Sequence, residues 1–184
     1  MNAIRVYTLA LGLFLIVSRS GFGDQLKFTA GGELVRPEGY REWIYIGTPV
    51  TPNELNNGKA SFPEFHSVYI DKESWEVWKK TGKFREGTMM VKELVDVGSK
   101  AATSGNGYFM GEFHSLEVSV KSKERFPNEP GNWAYFSFGE HKAGLKKSAK
   151  AYPTAQCASC HQGSAAYDMV YSQYYPVLRA AKGK

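Results

Sequence analysis

The two cysteines of the chain lie three positions apart and a histidine follows directly, in the segment Cys157-Ala158-Ser159-Cys160-His161. Two thiols at this spacing can bond to the two vinyl groups of one haem, while the adjacent imidazole faces the iron. We therefore predict one c-type haem, with Cys157 and Cys160 as its covalent links and His161 as the proximal iron ligand.

Three other chemistries use paired cysteines. A structural zinc site wants four ligands, and the chain has no second cysteine pair. A thioredoxin-type redox pair leaves His161 without a role and goes with alternating strands and helices, which the sequence lacks. A short disulfide stays open for an exported protein. The haem is favoured because it uses both cysteines and the histidine.

The first 23 residues have the parts of a secretory signal peptide in the expected order. Arg5 supplies the positive charge, residues 6–17 are an uncharged apolar run, and small residues follow, namely Ser18, Ser20, Gly21 and Gly23. The apolar run is shorter than the roughly 20 residues of a membrane span. We predict a signal peptide over 1–23, a periplasmic location, and a single haem-binding domain over 24–184; an uncleaved anchor is the alternative.

The charge of the remaining chain is low. Without residues 1–23, 21 basic residues stand against 18 acidic ones, a net charge of +3. That balance does not indicate a nucleic-acid-binding protein. Lys146, Lys147 and Lys150 cluster, and they form either a solvated surface or a docking patch for an acidic redox partner.

Residue patterns predict a mixed fold. Strands are expected where β-branched and aromatic residues concentrate or alternate, at 41–48, 65–70, 87–97, 108–120 and 132–139. A helix is expected between Asp71, as its N-cap, and Gly82, with Trp75 and Trp78 on one face. The region from residue 142 onward looks mainly helical. This order favours an α+β fold, mainly an antiparallel β-sheet with flanking helices and the haem near the C-terminus.

The position of the cysteine motif bears on the sixth coordination site of the iron. Only 23 residues follow His161, and their one methionine, Met169, is too near in sequence to reach the opposite haem face easily, so a sixth ligand would come from upstream. The candidates are His66, His114, His141, Met89, Met90 and Met110. The alternative is an open distal position that binds small molecules. Five-coordinate iron with a C-terminal motif also occurs in four-helix cytochromes c′, but the strand-rich middle of this chain disfavours a bundle.

Seven stretches of the chain together resemble one family. They are YREWIYIGTPVTPNELNNGKA, VYIDKESWEVWKKTGKFREGT, VKELVDVG, SGNGYFMGEF, RFPNEPGNWAYFSFG, CASCHQ and YYPVLRAAK. From about residue 40 to 182 the chain resembles the cytochrome P460 family, which shares its fold with the cytochromes c′-beta. The resemblance implies a homodimeric periplasmic haem enzyme that oxidises hydroxylamine to nitrous oxide or nitrite and binds nitric oxide.

The resemblance also assigns roles to particular residues. It implies that Lys92 bonds to the haem macrocycle, a link that the cytochromes c′-beta lack. Taken by its pattern alone, Lys92 shares a strand face with Met90 and Leu94, as a solvated or snorkelling lysine also would. Glu117 matches a distal-pocket carboxylate, suited to accepting protons from the substrate; the alternative is a solvent-facing strand residue.

His66 is a further candidate, near the distal pocket or a haem propionate, and a partly buried structural histidine is equally compatible with its pattern. Four aromatic residues are candidates for the apolar pocket walls, namely Phe65, Phe109, Phe113 and Tyr135. Three functions follow as hypotheses. They are a hydroxylamine-oxidising enzyme that passes electrons to a small soluble cytochrome, a nitric oxide-binding protein, and an electron carrier with six-coordinate haem.

Overall fold

A computed structural model describes residues 26–140 and 144–183. The predicted signal peptide and His141 lie outside these residues. None of the helices within the described ranges is long and apolar enough to cross a membrane.

The described part of the chain is built mainly from antiparallel strands. The strands are β1 (Leu34–Val35), β2 (Ile44–Gly47), β3 (Phe65–Ile70), β4 (Met89–Val97), β5 (Ala101–Ala102), β6 (Gly105–Asn106), β7 (Met110–Lys121), β8 (Trp133–Ser137), β9 (Gly139–Glu140), β10 (Gly144–Leu145) and β11 (Ser148–Ala149). Five of them form one sheet in the order β2-β3-β4-β7-β8, with all neighbours antiparallel. The predicted antiparallel sheet is confirmed.

The α-helices of the described residues are α1 (Lys72–Thr81), α2 (Ala158–Ser164) and α3 (Pro176–Ala181). Helix α1 begins and ends as predicted. The Asp71 carboxylate accepts a hydrogen bond from the backbone N–H of Ser74 at 2.8 Å, which satisfies a donor of the first turn. Gly82 ends the helix in the left-handed conformation, at φ 65°. Trp78 is buried and Trp75 half-buried against the same cluster.

The prediction of a mainly helical region from residue 142 onward is wrong for its first part. Strands β10 and β11 lie there, followed by an irregular segment up to α2. The reason is long-range pairing, because β11 pairs with β1, more than 100 residues earlier, with Ala149 opposite Leu34. Such a partner leaves no trace in the local pattern.

The main sheet has two different faces, because successive side chains of a strand point to opposite sides. The back face, which carries Val91, Val118 and Phe136, packs against the N-terminal segment around Leu34 and Tyr40. The front face carries the side chains that alternate with these along each strand. Residues that are paired across neighbouring strands form rows on this face. Directly opposed residues of antiparallel strands share a face.

Helices α1 and α3 cover only one end of the front face. There Trp78 and Leu178 pack with Ile70, Met90 and Trp133 in a second apolar cluster. The rest of the front face carries polar side chains on the central strands. The helices thus leave the rest of this face uncovered. Helix α2, which follows Cys157 and contains Cys160, contacts the edge strand β8.

Candidate haem site

The cysteine motif opens helix α2. Cys157 is the N-cap residue, Ala158 is almost completely buried, and Cys160 and His161 follow within the first turns. Neither cysteine forms a disulfide, so the disulfide alternative does not hold. The Cys157 thiol is half-buried and interacts electrostatically with Glu117 and Lys92. The motif therefore faces the polar stretch of the front face.

His161 is oriented by a single backbone acceptor. Its Nδ1 lies 2.7 Å from the carbonyl oxygen of Met169, and a carbonyl only accepts, so Nδ1 carries the proton. Nε2 is then the unprotonated nitrogen that can bind a metal. Burial lowers the pKa of His161 and so favours the neutral imidazole. The ring lies between those of Tyr135 and Tyr171, with centroids 4.5 and 4.7 Å away.

Three neighbouring residues hold the turn that contains the Met169 carbonyl. Asp168 and Met169 both have left-handed backbone conformations, with φ of 44° and 62°. The Asp168 carboxylate accepts hydrogen bonds from Lys121 Nζ at 3.0 Å and Trp133 Nε1 at 3.3 Å. Gly131 packs so closely that a Cβ atom there would lie 3.0 Å from Met169 Cγ. Sequence reasoning missed this support because a backbone acceptor has no side-chain signature.

Lys92 lies on the front face, directly opposite Glu117 in the strand pairing of β4 and β7. Its ammonium group stands 4.6 Å from the centre of the Phe62 ring, a residue that the sequence did not single out. Burial lowers the pKa of Lys92, and the negative charges of Glu117, Cys157 and Glu64 oppose that shift. The Lys92 side chain is thus not fully solvated, since it is half-buried and its Nζ lies over an aromatic ring; the snorkelling alternative stays open.

Glu117 lies in the same row of the front face as Lys92, on the neighbouring strand β7. One carboxylate oxygen accepts hydrogen bonds from the hydroxyls of Ser137 at 2.8 Å and Ser115 at 3.1 Å. Burial raises the pKa of Glu117, while the serines and Lys92 act in the opposite direction. A partly buried carboxylate with a raised pKa takes up a proton more readily than an exposed one, which suits a proton acceptor. The solvent-facing alternative for Glu117 does not hold.

His66 occupies the next row of the front face, opposite Leu94. Its Nε2 lies 3.2 Å from the carbonyl oxygen of Phe62. Burial, together with the positive charge of Lys92, lowers the pKa of His66 to about 4. His66 is therefore a neutral imidazole near neutral pH, and Nε2 is the nitrogen that donates.

The aromatic residues proposed as pocket walls separate into two groups. Tyr135 does lie on the front face, beside His161. Phe65 alternates with His66 along β3 and so points to the back face, where it cannot line this site. Phe113 is 40% exposed and is paired with Val95 near one end of the sheet, and Phe109 lies just before β7.

The candidates for a sixth iron ligand are also scattered. Met89 belongs to the back-face core, and Met110 is 52% exposed. Met90 is packed in the apolar cluster under helices α1 and α3. His114 lies beside Asp96, with Nδ1 3.2 Å from a carboxylate oxygen. Among the described residues, His66 is the candidate that shares the polar part of the front face with Lys92.

The donor set fits one prosthetic group. Two unlinked thiols, an imidazole with an unprotonated Nε2 and two flanking tyrosine rings are the groups that hold a covalently attached haem. The fold and this site thus define a c-type haem protein. The family model for cytochrome P460 matches residues 37–172, which include every predicted site residue. The chain belongs to the cytochrome P460 family, so the resemblance seen in the sequence is confirmed. A search of curated proteins gives no match.

Proposed function

We propose that this c-type haem protein is an enzyme that oxidises hydroxylamine to nitrous oxide or nitrite, and that it also binds nitric oxide. Membership of the cytochrome P460 family supports haem oxidoreductase chemistry in general. The observation that carries the specific proposal is the row of Lys92 and Glu117 on the front face, directly opposed and electrostatically linked to Cys157.

Glu117 is the proposed proton acceptor. Conversion of two hydroxylamine molecules to nitrous oxide and water releases four protons and four electrons, so a base must stand beside the substrate. When bound, the haem supplies an iron that holds a small nitrogen ligand and accepts electrons. Glu117 takes up protons at its carboxylate, and the hydroxyls of Ser115 and Ser137 fix its position.

His66 has a supporting role in the proposal. As a neutral imidazole whose Nε2 is occupied by the carbonyl of Phe62, it presents Nδ1 as an acceptor. It can thus accept a hydrogen bond from hydroxylamine without adding positive charge to the site.

Lys92 is the proposed third covalent link to the haem, in addition to Cys157 and Cys160. The carbon–nitrogen bond replaces one N–H bond of the amine and one C–H bond of the macrocycle, and a two-electron oxidant of the peroxide class takes up the two electrons released. Only the unprotonated amine can form this bond, and burial of Lys92 favours that form. The ring of Phe62 and the opposed Glu117 hold the amine in one place. A cross-linked macrocycle has altered electronics, which is one way in which a protein tunes haem reactivity.

The same proposal extends to location and partners. We place the protein in the periplasm, exported by residues 1–23, as a homodimer that passes electrons to a small soluble cytochrome. Lys146 and Lys150 are exposed beside strand β8, at a cavity of about 350 Å³ that Ser137 also lines. Ser137 also donates a hydrogen bond to Glu117. An acidic partner docked on Lys146, Lys147 and Lys150 would therefore lie close to this hydrogen-bond partner of Glu117.

A turnover assay tests the enzyme proposal. The purified haem-loaded protein is mixed anaerobically with hydroxylamine and an artificial electron acceptor, and acceptor reduction is followed together with nitrous oxide and nitrite. Sustained acceptor reduction is expected. Nitric oxide binding without turnover would identify a binding protein instead, and a low-spin spectrum as isolated would identify an electron carrier.

A further inference from the structure

A second cluster of ligand-type side chains lies at one end of the sheet. Glu64 directly precedes β3, Asp96 is near the end of β4, and His114 lies in β7. These three strands are neighbours in the sheet. The pairing of β4 with β7 is irregular here, with register shifts on both sides of Val95. The irregularity turns side chains of adjacent strands toward one point.

The side chains of this cluster are close enough to share one ion. His114 Nδ1 lies 3.2 Å from Asp96 Oδ1, and His114 Nε2 lies 3.9 Å from Glu64 Oε1. One ligand atom from each residue can be chosen so that all three lie within 4.8 Å of one another. Ligand atoms in a tetrahedral zinc site are about 3.4 Å apart, so small side-chain rotations suffice.

Glu64 supplies an independent reason for a cation. The residue is only 9% exposed, and its Oε2 atom is buried with no hydrogen-bond partner in the described part of the chain. A buried carboxylate oxygen without a partner is destabilising, because it has given up its hydrogen bonds to water and gained none in return. A metal ion between Glu64 and His114 would satisfy this atom, whereas the ion pair at Oε1 leaves it unsatisfied.

We propose that Glu64, Asp96 and His114 form a binding site for a divalent transition-metal ion, with Zn²⁺ the ion that fits best. One imidazole and two carboxylates are donors that Zn²⁺ accepts at about 2.0–2.2 Å. The half-exposed Asp96, whose side chain is 51% accessible, gives an entry path and room for water as a further ligand.

The proposed site is separate from the haem residues but adjoins them. Glu64 interacts electrostatically with Lys92, and His114 with Glu117. A bound dication therefore adds positive charge at the edge of the same front face. This site does not depend on the proposed enzyme activity, because its residues are not part of the haem donor set.

Zinc binding to the haem-loaded protein tests the proposal. The protein is treated with a chelator, dialysed and titrated calorimetrically with Zn²⁺ near pH 7, and its thermal midpoint is measured with and without the metal. We expect a single Zn²⁺ per chain and a higher midpoint with metal. The Asp96→Asn and His114→Gln variants should each bind Zn²⁺ about tenfold more weakly or worse.

The matched control is Glu112→Gln, which removes an exposed carboxylate of the same strand β7. It should bind Zn²⁺ as the unchanged protein does. Because Asp96 is half-exposed, Asp96→Asn preserves the fold, and an unaltered c-type absorption spectrum verifies this. Equal Zn²⁺ affinity in the unchanged protein and Asp96→Asn would overturn the proposal.

Discussion

Lys92 and Glu93 are consecutive residues of β4, yet they point to opposite faces of the sheet and have different surroundings. On the back face, Glu93 accepts hydrogen bonds from the Tyr40 hydroxyl at 2.6 Å and from Arg41 Nε at 2.7 Å. On the front face, the Glu117 carboxylate accepts hydrogen bonds from two serine hydroxyls and lies opposite Lys92.

The proposed function gives Glu93 a structural role and Glu117 a reactive one, on opposite faces of one sheet. Glu93 accepts charge-assisted hydrogen bonds from a guanidinium and a further one from a phenol, so it ties the N-terminal segment to the sheet. Burial raises the pKa of Glu117 and the hydroxyls only partly offset this, so its proton affinity is high for a carboxylate. Strand alternation places the two carboxylates on opposite faces.

Loss of the front-face carboxylate of Glu117 should have the largest effect on turnover. Glu117→Gln keeps the shape and the hydrogen bonds of the side chain but removes its basicity. We expect hydroxylamine oxidation to slow by about 100-fold or more, because general base catalysis contributes on that scale. Steady-state kinetics measure this effect, with covalent haem content unchanged. Kinetics equal to those of the unchanged protein would exclude Glu117 as the base.

The corresponding substitution on the back face, Glu93→Gln, should lower stability and leave turnover nearly unchanged. Glu93→Gln weakens the hydrogen bonds from Tyr40 and Arg41, at a cost of about 2 kcal/mol in the free energy of unfolding. Denaturant titration measures the loss. Turnover per folded, haem-loaded molecule should stay within about twofold, because Glu93 faces away from Lys92. A turnover defect as large as that of Glu117→Gln would break the distinction between the faces.

Loss of the support for the proximal histidine, His161, should reduce turnover less than loss of Glu117. Asp168→Asn removes the ion pair with Lys121 and so loosens the turn whose Met169 carbonyl orients His161. We expect turnover to fall about tenfold and the reduction potential of the haem to rise, because a weaker hydrogen bond leaves His161 a poorer electron donor. Potentiometric titration reports the second effect. A purely structural role for Asp168 would lower stability and leave the potential unchanged.

The pH profile should give the smallest and most specific signal. Glu117 works as a base only when ionised, and its pKa is raised above the ordinary 4.5. The value of kcat at saturating hydroxylamine, which reports groups of the substrate-bound enzyme, should therefore fall as the pH drops, with the midpoint of the acid limb above 4.5. This limb should vanish in Glu117→Gln and persist in Glu93→Gln. Persistence in Glu117→Gln would assign it to another group.

Much of the site was predictable because it depends on local periodicity. The alternation of β4 places Lys92 with Met90 and Leu94, and that of β7 separates Glu117 from Val118, as predicted. The Asp71 cap and the end of α1 at Gly82 follow from local chemistry and are confirmed.

Other features depend on contacts between distant parts of the chain. The pairing of β1 with β11 and the approach of the Met169 carbonyl to His161 have no local pattern. Phe65 was assigned to the pocket by residue type, but strand alternation puts it on the back face. The contact of Phe62 with Lys92 arises from a loop, where periodicity gives no guidance.

The most direct test of the reactive front face is mass spectrometry of haem peptides from a protease digest of the purified protein. We predict that the peptide containing Lys92 is recovered joined to the haem, together with the peptide containing Cys157 and Cys160. A Lys92→Arg variant, which keeps the positive charge, should yield haem on the cysteine peptide alone. Recovery of unmodified Lys92 from the unchanged protein would contradict the cross-link and favour a nitric oxide-binding protein of the cytochrome c′-beta type.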